Sequence, residues 1–130
     1  YMKIVDYVKE NNLSFDNVAI CGLPYAGIPF ASFISLAYKV PFVLLRKERK
    51  GYGTNKMIEG DLTNITHLIL LDDILTTGKS ILESLEFFVG YNLKASAIVI
   101  LDRSDSDTCN SLLENNLNKL ESIFTLDEFI

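Results

Sequence analysis

Two adjacent carboxylates, Asp72 and Asp73, are followed after Ile74 and Leu75 by the run Thr76, Thr77, Gly78, Lys79 and Ser80. Small hydroxyl residues and a glycine that lead into a helix direct backbone N–H groups and hydroxyls at one point, which is an arrangement that binds phosphate. Carboxylates repel phosphate. Asp72 and Asp73 are therefore suited to sugar hydroxyls, a magnesium ion, or both. The combination describes a site for a phosphorylated sugar, against the plainer alternative of an ordinary strand-to-helix loop.

The position of this run decides whether it can act as a site. Leu68 to Leu71 is a continuous apolar stretch of the kind found in buried parallel strands, and Ile81 to Val89 has helical apolar spacing. The polar residues between them thus fall at the carboxyl end of a strand, where open α/β sheets bind ligands. Before this unit, Ile4, Val5, Val8 and Leu13 are spaced for an amphipathic helix. Asn17 to Cys21 reads as a strand, Ile28 to Tyr38 as a helix, and Pro41 to Leu45 as a second strand. After it come a helix from Lys79 to about Tyr91, a strand Ser96 to Leu101, a helix Thr108 to Lys119 and a short strand Ser122 to Phe124. With the strand His67 to Leu71, this alternation predicts an α/β fold: a doubly wound, mainly parallel sheet of about five strands with helices on both faces. Residues 46–64 are polar and glycine-containing, too long for an ordinary connection, and read as a functional loop.

A single domain over residues 1–130 is expected from a chain of 130 residues with 48% hydrophobic content. The net charge of -5 argues against nucleic acid or an anionic membrane as partner. Within this acidic chain, Arg46, Lys47, Arg49 and Lys50 concentrate positive charge in one place, which suggests an anion site. Cys21 and Cys109 are far apart and His67 is the single histidine, so a cysteine and histidine metal site is not expected. No apolar run approaches about 18 residues, and YMKIVDYVKENN lacks the apolar core of a signal peptide. A cytoplasmic protein is the expectation.

Three more stretches carry chemistry. GLPYAGIPFA, Gly22 to Ala31, includes Pro24, Tyr25 and Ala26 between a strand and a helix. Its glycines and prolines permit a backbone that comes close to a ligand. RKERKGYGTNKMIEG, Arg46 to Gly60, offers Arg46, Lys47 and Lys50 to a polyanion, with Gly51, Gly53 and Gly60 as hinges. LDR, Leu101 to Arg103, ends a strand, where Asp102 and Arg103 could pair with each other.

LLDDILTTGKS resembles the phosphoribosyl pyrophosphate (PRPP) motif of type I phosphoribosyltransferases. RKERKGYG resembles the mobile catalytic loop of orotate phosphoribosyltransferases, closest to the transferase domain of eukaryotic-type UMP synthases. The resemblance runs from about Leu13 to Arg103, with a weaker echo in FTLDEF. It implies the type I phosphoribosyltransferase fold and a glycosyltransferase that moves ribose 5-phosphate from PRPP to orotate, giving orotidine 5'-monophosphate and pyrophosphate in pyrimidine (UMP) biosynthesis. By resemblance, Asp72, Asp73, Arg46, Lys47 and Lys50 are catalytic. PRPP is bound by these together with Pro24, Tyr25, Ala26, Tyr52, Ile74, Leu75, Thr76, Thr77, Gly78, Lys79 and Ser80, and orotate by Thr76 and Arg103. Mg2+ would be held mainly through PRPP, with no direct protein ligand. A homodimer sharing loop 46–64 across its interface is implied, with an orotidine monophosphate decarboxylase domain or chain as an associated partner.

The chain also departs from the family. Ala26 and Tyr52 stand where some bacterial members carry lysine and histidine, and Gly51 where aspartate is common. Ser104, Asp105, Ser106 and Asp107 replace the glycines that usually follow the arginine, which changes the backbone and charge expected near the base. The family's N-terminal hood, with its Lys-Ser-Gly and Ser-Pro stretch, does not precede Leu13. This leaves a non-catalytic PRPP-binding or regulatory module, or a hoodless fragment of a longer or split enzyme, as the alternative.

Overall fold

The computed structural model describes residues 1–46 and 57–129. Among the described residues, six strands form one sheet in the order β3-β2-β1-β4-β5-β6. They are β1 (Val18–Gly22), β2 (Phe42–Leu45), β3 (Ile58–Glu59), β4 (His67–Leu75), β5 (Lys94–Asp102) and β6 (Leu117–Thr125). All neighbouring pairs are parallel except β2 with β3. Four helices, α1 (Met2–Glu10), α2 (Gly27–Tyr38), α3 (Lys79–Glu86) and α4 (Ser106–Glu114), cover it.

The helices divide between the two faces because each strand at the centre is apolar on both sides. Ala19, Cys21, Leu68, Leu70, Ala97 and Val99 pack with Ile81 of α3 and Leu112 of α4. Val18, Ile20, Ile69, Leu71 and Ile98 pack with Ile4, Tyr7 and Val8 of α1 and Ala31 of α2. The predicted doubly wound architecture is therefore present. The connections leave β1 and β4, which are adjacent and parallel, toward opposite faces: α2 on one, α3 on the other. Their carboxyl ends form the switch point where such sheets bind ligands.

Four expectations need correction. The sheet has six strands, because Ile58 and Glu59, inside the segment read as loop, pair with Leu45 and Leu44 on the sheet edge. A two-residue strand has no periodicity to read. β4 continues to Leu75, so Asp72 and Asp73 lie on the strand; pairing with β5 extends past the apolar run, joining Asp72 to Val99 and Leu75 to Asp102. α3 stops at Glu86, where the backbone tightens through Phe87 N–H to Ser84 O and Phe88 N–H to Leu85 O. α4 ends at Glu114, since Asn116 takes a left-handed φ of 72° and the following Leu117 is drawn into the core, starting β6 five residues before the expected strand.

The start of α4 shows what two of the four unusual residues after Arg103 do. Asp105 caps the helix, its Oδ1 accepting the Thr108 N–H at 2.8 Å, and Asp107 lies in the first turn, where negative charge suits the helix dipole. The same Thr108 N–H holds the Asp105 carboxyl below the usual carboxylate range. The cap is thus at full strength above that range and weakens as the pH falls through it. Asp105→Ala should lower the melting temperature at pH 7 by about 3 °C, with the difference shrinking below pH 4, as read by thermal denaturation followed by circular dichroism.

Candidate active site

The chain brings the predicted residues to one edge because β1, β2, β4 and β5 are parallel and end on the same side. Pro24, Tyr25 and Ala26 follow β1, Arg46 follows β2, Asp72 to Leu75 close β4, Thr76 to Ser80 lead into α3, and Arg103 follows β5. Lys47, Lys50 and Tyr52 lie outside the described residues.

The loop after β1 is folded tightly against β4. Leu23 N–H donates to Leu71 O at 2.8 Å, and Gly27 N–H donates to Leu23 O at 3.0 Å. A Cβ on Gly27 would fall 2.0 Å from Leu71 O, and one on Gly22 would fall 2.4 Å from Gly27 O. Both glycines are required by close backbone approach. The Pro24–Tyr25 peptide bond between them is cis. Ala26 is the N-cap of α2 and offers no side-chain bond there, which leaves the helix start to the backbone.

On β4 the acidic pair is ordered by its own backbone. Asp72 Oδ1 accepts the Asp73 N–H at 2.9 Å, and Asp73 Oδ1 accepts the Ile74 N–H at 2.8 Å. Asp72 borders a cavity of about 220 Å³ whose wall includes Leu71, Ile98, Val99, Phe30 and Ile34. Burial beside these apolar groups pushes its carboxyl up to about 6, and the neighbouring Asp73 carboxylate adds to the rise.

The turn after β4 forms a small hollow of about 50 Å³ lined by Asp72 and by residues 74–81. Gly78, at φ 77°, is the N-cap of α3, and its left-handed backbone turns the chain into the helix. Lys79 N–H reaches the Thr77 hydroxyl at 3.4 Å, while Thr76, Thr77, Lys79 and Ser80 are all exposed. Leu75 is buried in the core, so among its groups only the backbone faces the edge. Lys79 pairs with Glu83 one turn on, at 3.7 Å.

Arg46 does not stand free. Its Nε donates to Glu59 Oε1 at 2.6 Å, across the antiparallel pairing of β2 with β3, and its N–H donates to Met57 O at 2.7 Å. The guanidinium expected for a polyanion is thus held by a carboxylate that the sequence reading did not single out. The signal was the IEG exit itself, an acidic residue after a basic run. Arg103 and Asp102 make no ion pair with each other among the described residues, so the self-capping alternative is not what ends β5. Arg103 is exposed, and its N–H donates to Leu75 O at 2.9 Å, tying the end of β5 to the residue before the turn Thr76 to Ser80.

A mainly parallel sheet covered on two faces, with a small hollow beside two carboxylates at its switch point, defines an α/β domain with its candidate ligand edge at the ends of β1 and β4. Residues 2–110 match the family model described as "Phosphoribosyl transferase domain", and the chain belongs to that family. Its relatives narrow the branch. It is 40% identical over 124 residues to an orotate phosphoribosyltransferase of Caenorhabditis elegans, covering 95% of this chain and 53% of that protein. It is 33% identical over 128 residues to the orotate phosphoribosyltransferase of Methanosphaera stadtmanae, covering 96% of this chain and 70% of the relative. Among solved structures it is similar to the UMP synthase of Leishmania donovani, with a TM-score of 0.71 at 29% identity over 95% of this chain and 26% of that one. The chain therefore spans about half the length of the Caenorhabditis elegans relative and about a quarter of the Leishmania protein.

Proposed function

We propose that this chain forms the core of an orotate phosphoribosyltransferase: orotate displaces pyrophosphate from the anomeric carbon of PRPP to give orotidine 5'-monophosphate. The carrying observation is the bond from the Arg103 N–H to Leu75 O, which ties the exposed Arg103 to the chain between the acidic pair and the turn Thr76 to Ser80. The 5'-phosphate would lie in the turn Thr76 to Ser80, against backbone N–H groups at the start of α3. Asp72 and Asp73 would accept the ribose hydroxyls and offset positive charge developing on the sugar. Arg103, with a planar fork of donors, suits the orotate carboxylate. Arg46, Lys47 and Lys50 would receive the departing pyrophosphate.

Two adjacent carboxylates fit a magnesium ion that is bound mainly by substrate phosphates and keeps several waters. Such an ion would neutralise charge on the leaving pyrophosphate. We place the reaction in the cytoplasm; no helix among the described residues is long and apolar enough to cross a membrane. A homodimer is part of the same reading, and the outer side of α2, where Phe30, Phe33 and Leu36 are exposed, supports it. The similarity to a UMP synthase supports a decarboxylase domain or chain as the consumer of the product.

The test is disappearance of orotate with PRPP and Mg2+, measured for this chain and for the chain with any native flanking segment. Turnover in neither would sink the enzyme reading, and PRPP binding without turnover would make the chain a regulatory module. If the loop acts on the transition state, Lys50→Ala should lower kcat by about a hundredfold while weakening PRPP binding, measured by calorimetry, by less than about fivefold.

A further inference from the structure

The turn that carries Arg103 is braced by side chains that neither the phosphate site nor the pyrophosphate loop uses. Asp102, the last residue of β5, has Cα partners on both sides, Leu75 in β4 and Thr125 in β6. Its carboxylate makes no ion pair with Arg103 and closes a ring with Ser104 and Cys109 instead. Oδ1 accepts the Ser104 N–H at 2.8 Å and the Ser104 hydroxyl at 2.6 Å. Oδ2 accepts the Cys109 thiol of α4 at 3.8 Å, and that sulfur lies 3.2 Å from the Ser104 hydroxyl. A carboxylate bonded to the N–H two residues on is an Asx turn, which fixes the direction in which the middle residue leaves the backbone. The middle residue here is Arg103.

Two physical consequences follow. The backbone of Arg103 is held on one side by Leu75 O and on the other by the Asp102 to Ser104 ring, so little freedom remains in where its side chain starts. Three donors occupy most of the acceptor sites of Asp102, and the carboxylate makes no ion pair with Arg103, whose guanidinium stays exposed to a ligand. Ser104, which replaces a flexible glycine of the family pattern, supplies two of the three.

We propose that Asp102 and Ser104 are positioning residues that aim Arg103 at the carboxylate of the base, with Cys109 as the anchor of the turn on α4. The proposal rests on the orotate reading of the site. It separates the two substrates: the proposed PRPP half is built on β4, the start of α3 and the segments after β1 and β2, whereas this turn governs only the base half.

The experiment compares wild type, Asp102→Ala and Asp102→Asn. Asp102→Ala should raise the KM for orotate by about tenfold or more with less than about a twofold change in the KM for PRPP. Asp102→Asn, whose amide oxygen can still accept both Ser104 bonds, should stay within about threefold of wild type for orotate. A structural reading is independent of turnover. Alkylation of Cys109 should be several-fold faster in Asp102→Ala than in wild type, while Cys21, buried and with its thiol pushed up to about 12, stays unreactive in both. Equal rises in the two KM values, an unchanged KM for orotate, or unchanged Cys109 labelling each overturn the proposal alone. A wild-type chain that neither turns over nor binds orotate overturns the orotate reading and this proposal with it.

Discussion

Gly27→Ala should be the most damaging single substitution in the framework of the site, destabilising the fold by about 3 kcal/mol and lowering the melting temperature by about 10 °C. The reason is local and rigid. The new Cβ would lie 2.0 Å from the carbonyl oxygen of Leu71, and this oxygen already accepts the Leu23 N–H. Neither atom belongs to a side chain that can rotate away, so either α2 or β4 must shift. Such a shift moves the loop that carries Pro24 to Ala26 relative to Asp72, so PRPP affinity should fall along with stability. Chemical denaturation and PRPP calorimetry on the same variant check both. A loss below about 1 kcal/mol would mean that the loop is not packed on β4 as described.

Asp72→Asn should have opposite effects on stability and activity. The carboxyl of Asp72 is raised to about 6 by burial, so the folded protein favours its protonated form more than the unfolded chain does. Its favourable contribution to stability is complete below about pH 4 and is lost as the pH rises through 6. Above that, the ionised group is a liability. A fully buried group with such a shift would involve about 3 kcal/mol, and solvent screening of this half-exposed one reduces the effect to about 1 kcal/mol. Asparagine keeps an oxygen for the Asp73 N–H and cannot ionise. The variant should therefore be about 1 kcal/mol more stable than wild type at pH 7.5, with the gain vanishing toward pH 4, as followed by denaturant unfolding across pH.

Turnover should fall in the same variant. If Asp72 holds ribose hydroxyls and faces a developing cation as proposed, kcat/KM should drop by about a hundredfold, equivalent to about 3 kcal/mol. The wild-type kcat/KM for PRPP should decline on the acid side of pH 6, where Asp72 takes up a proton. A variant that loses stability at pH 7.5, or that keeps wild-type turnover, would show that Asp72 is an ordinary strand residue. A stable, inactive one fits a residue kept for chemistry at the expense of the fold.

The sheet was legible where apolar runs were continuous. Leu68 to Leu71 and the NVAIC run needed no tertiary information to be read as buried strands, and the alternation of strands with helices implied two covered faces. What escaped were features made by pairing between distant segments. β3 exists because Ile58 and Glu59 meet the edge of β2, and the last residues of β4 are strand because β5 continues beside them. At the end of β5, LDR left open a mutual ion pair of Asp102 with Arg103; the fold instead gives Asp102 to Ser104 and Cys109 and leaves Arg103 exposed.

By itself the sequence determined which groups gather at the end of β4, since hydroxyls, glycine and carboxylates act through residue type and near spacing, and those are written in consecutive positions. Only the tertiary structure decided which charges are engaged and which are available. Arg46 is bound to Glu59 thirteen residues on, and Asp72 carries a raised carboxyl because apolar residues from β5 and α2 line the cavity beside it. The tight approach of Gly27 to Leu71 likewise exists only once β1 and β4 lie side by side. Ion pairing, desolvation and close packing depend on distance in space, and distance in space between separated segments is set by the sheet.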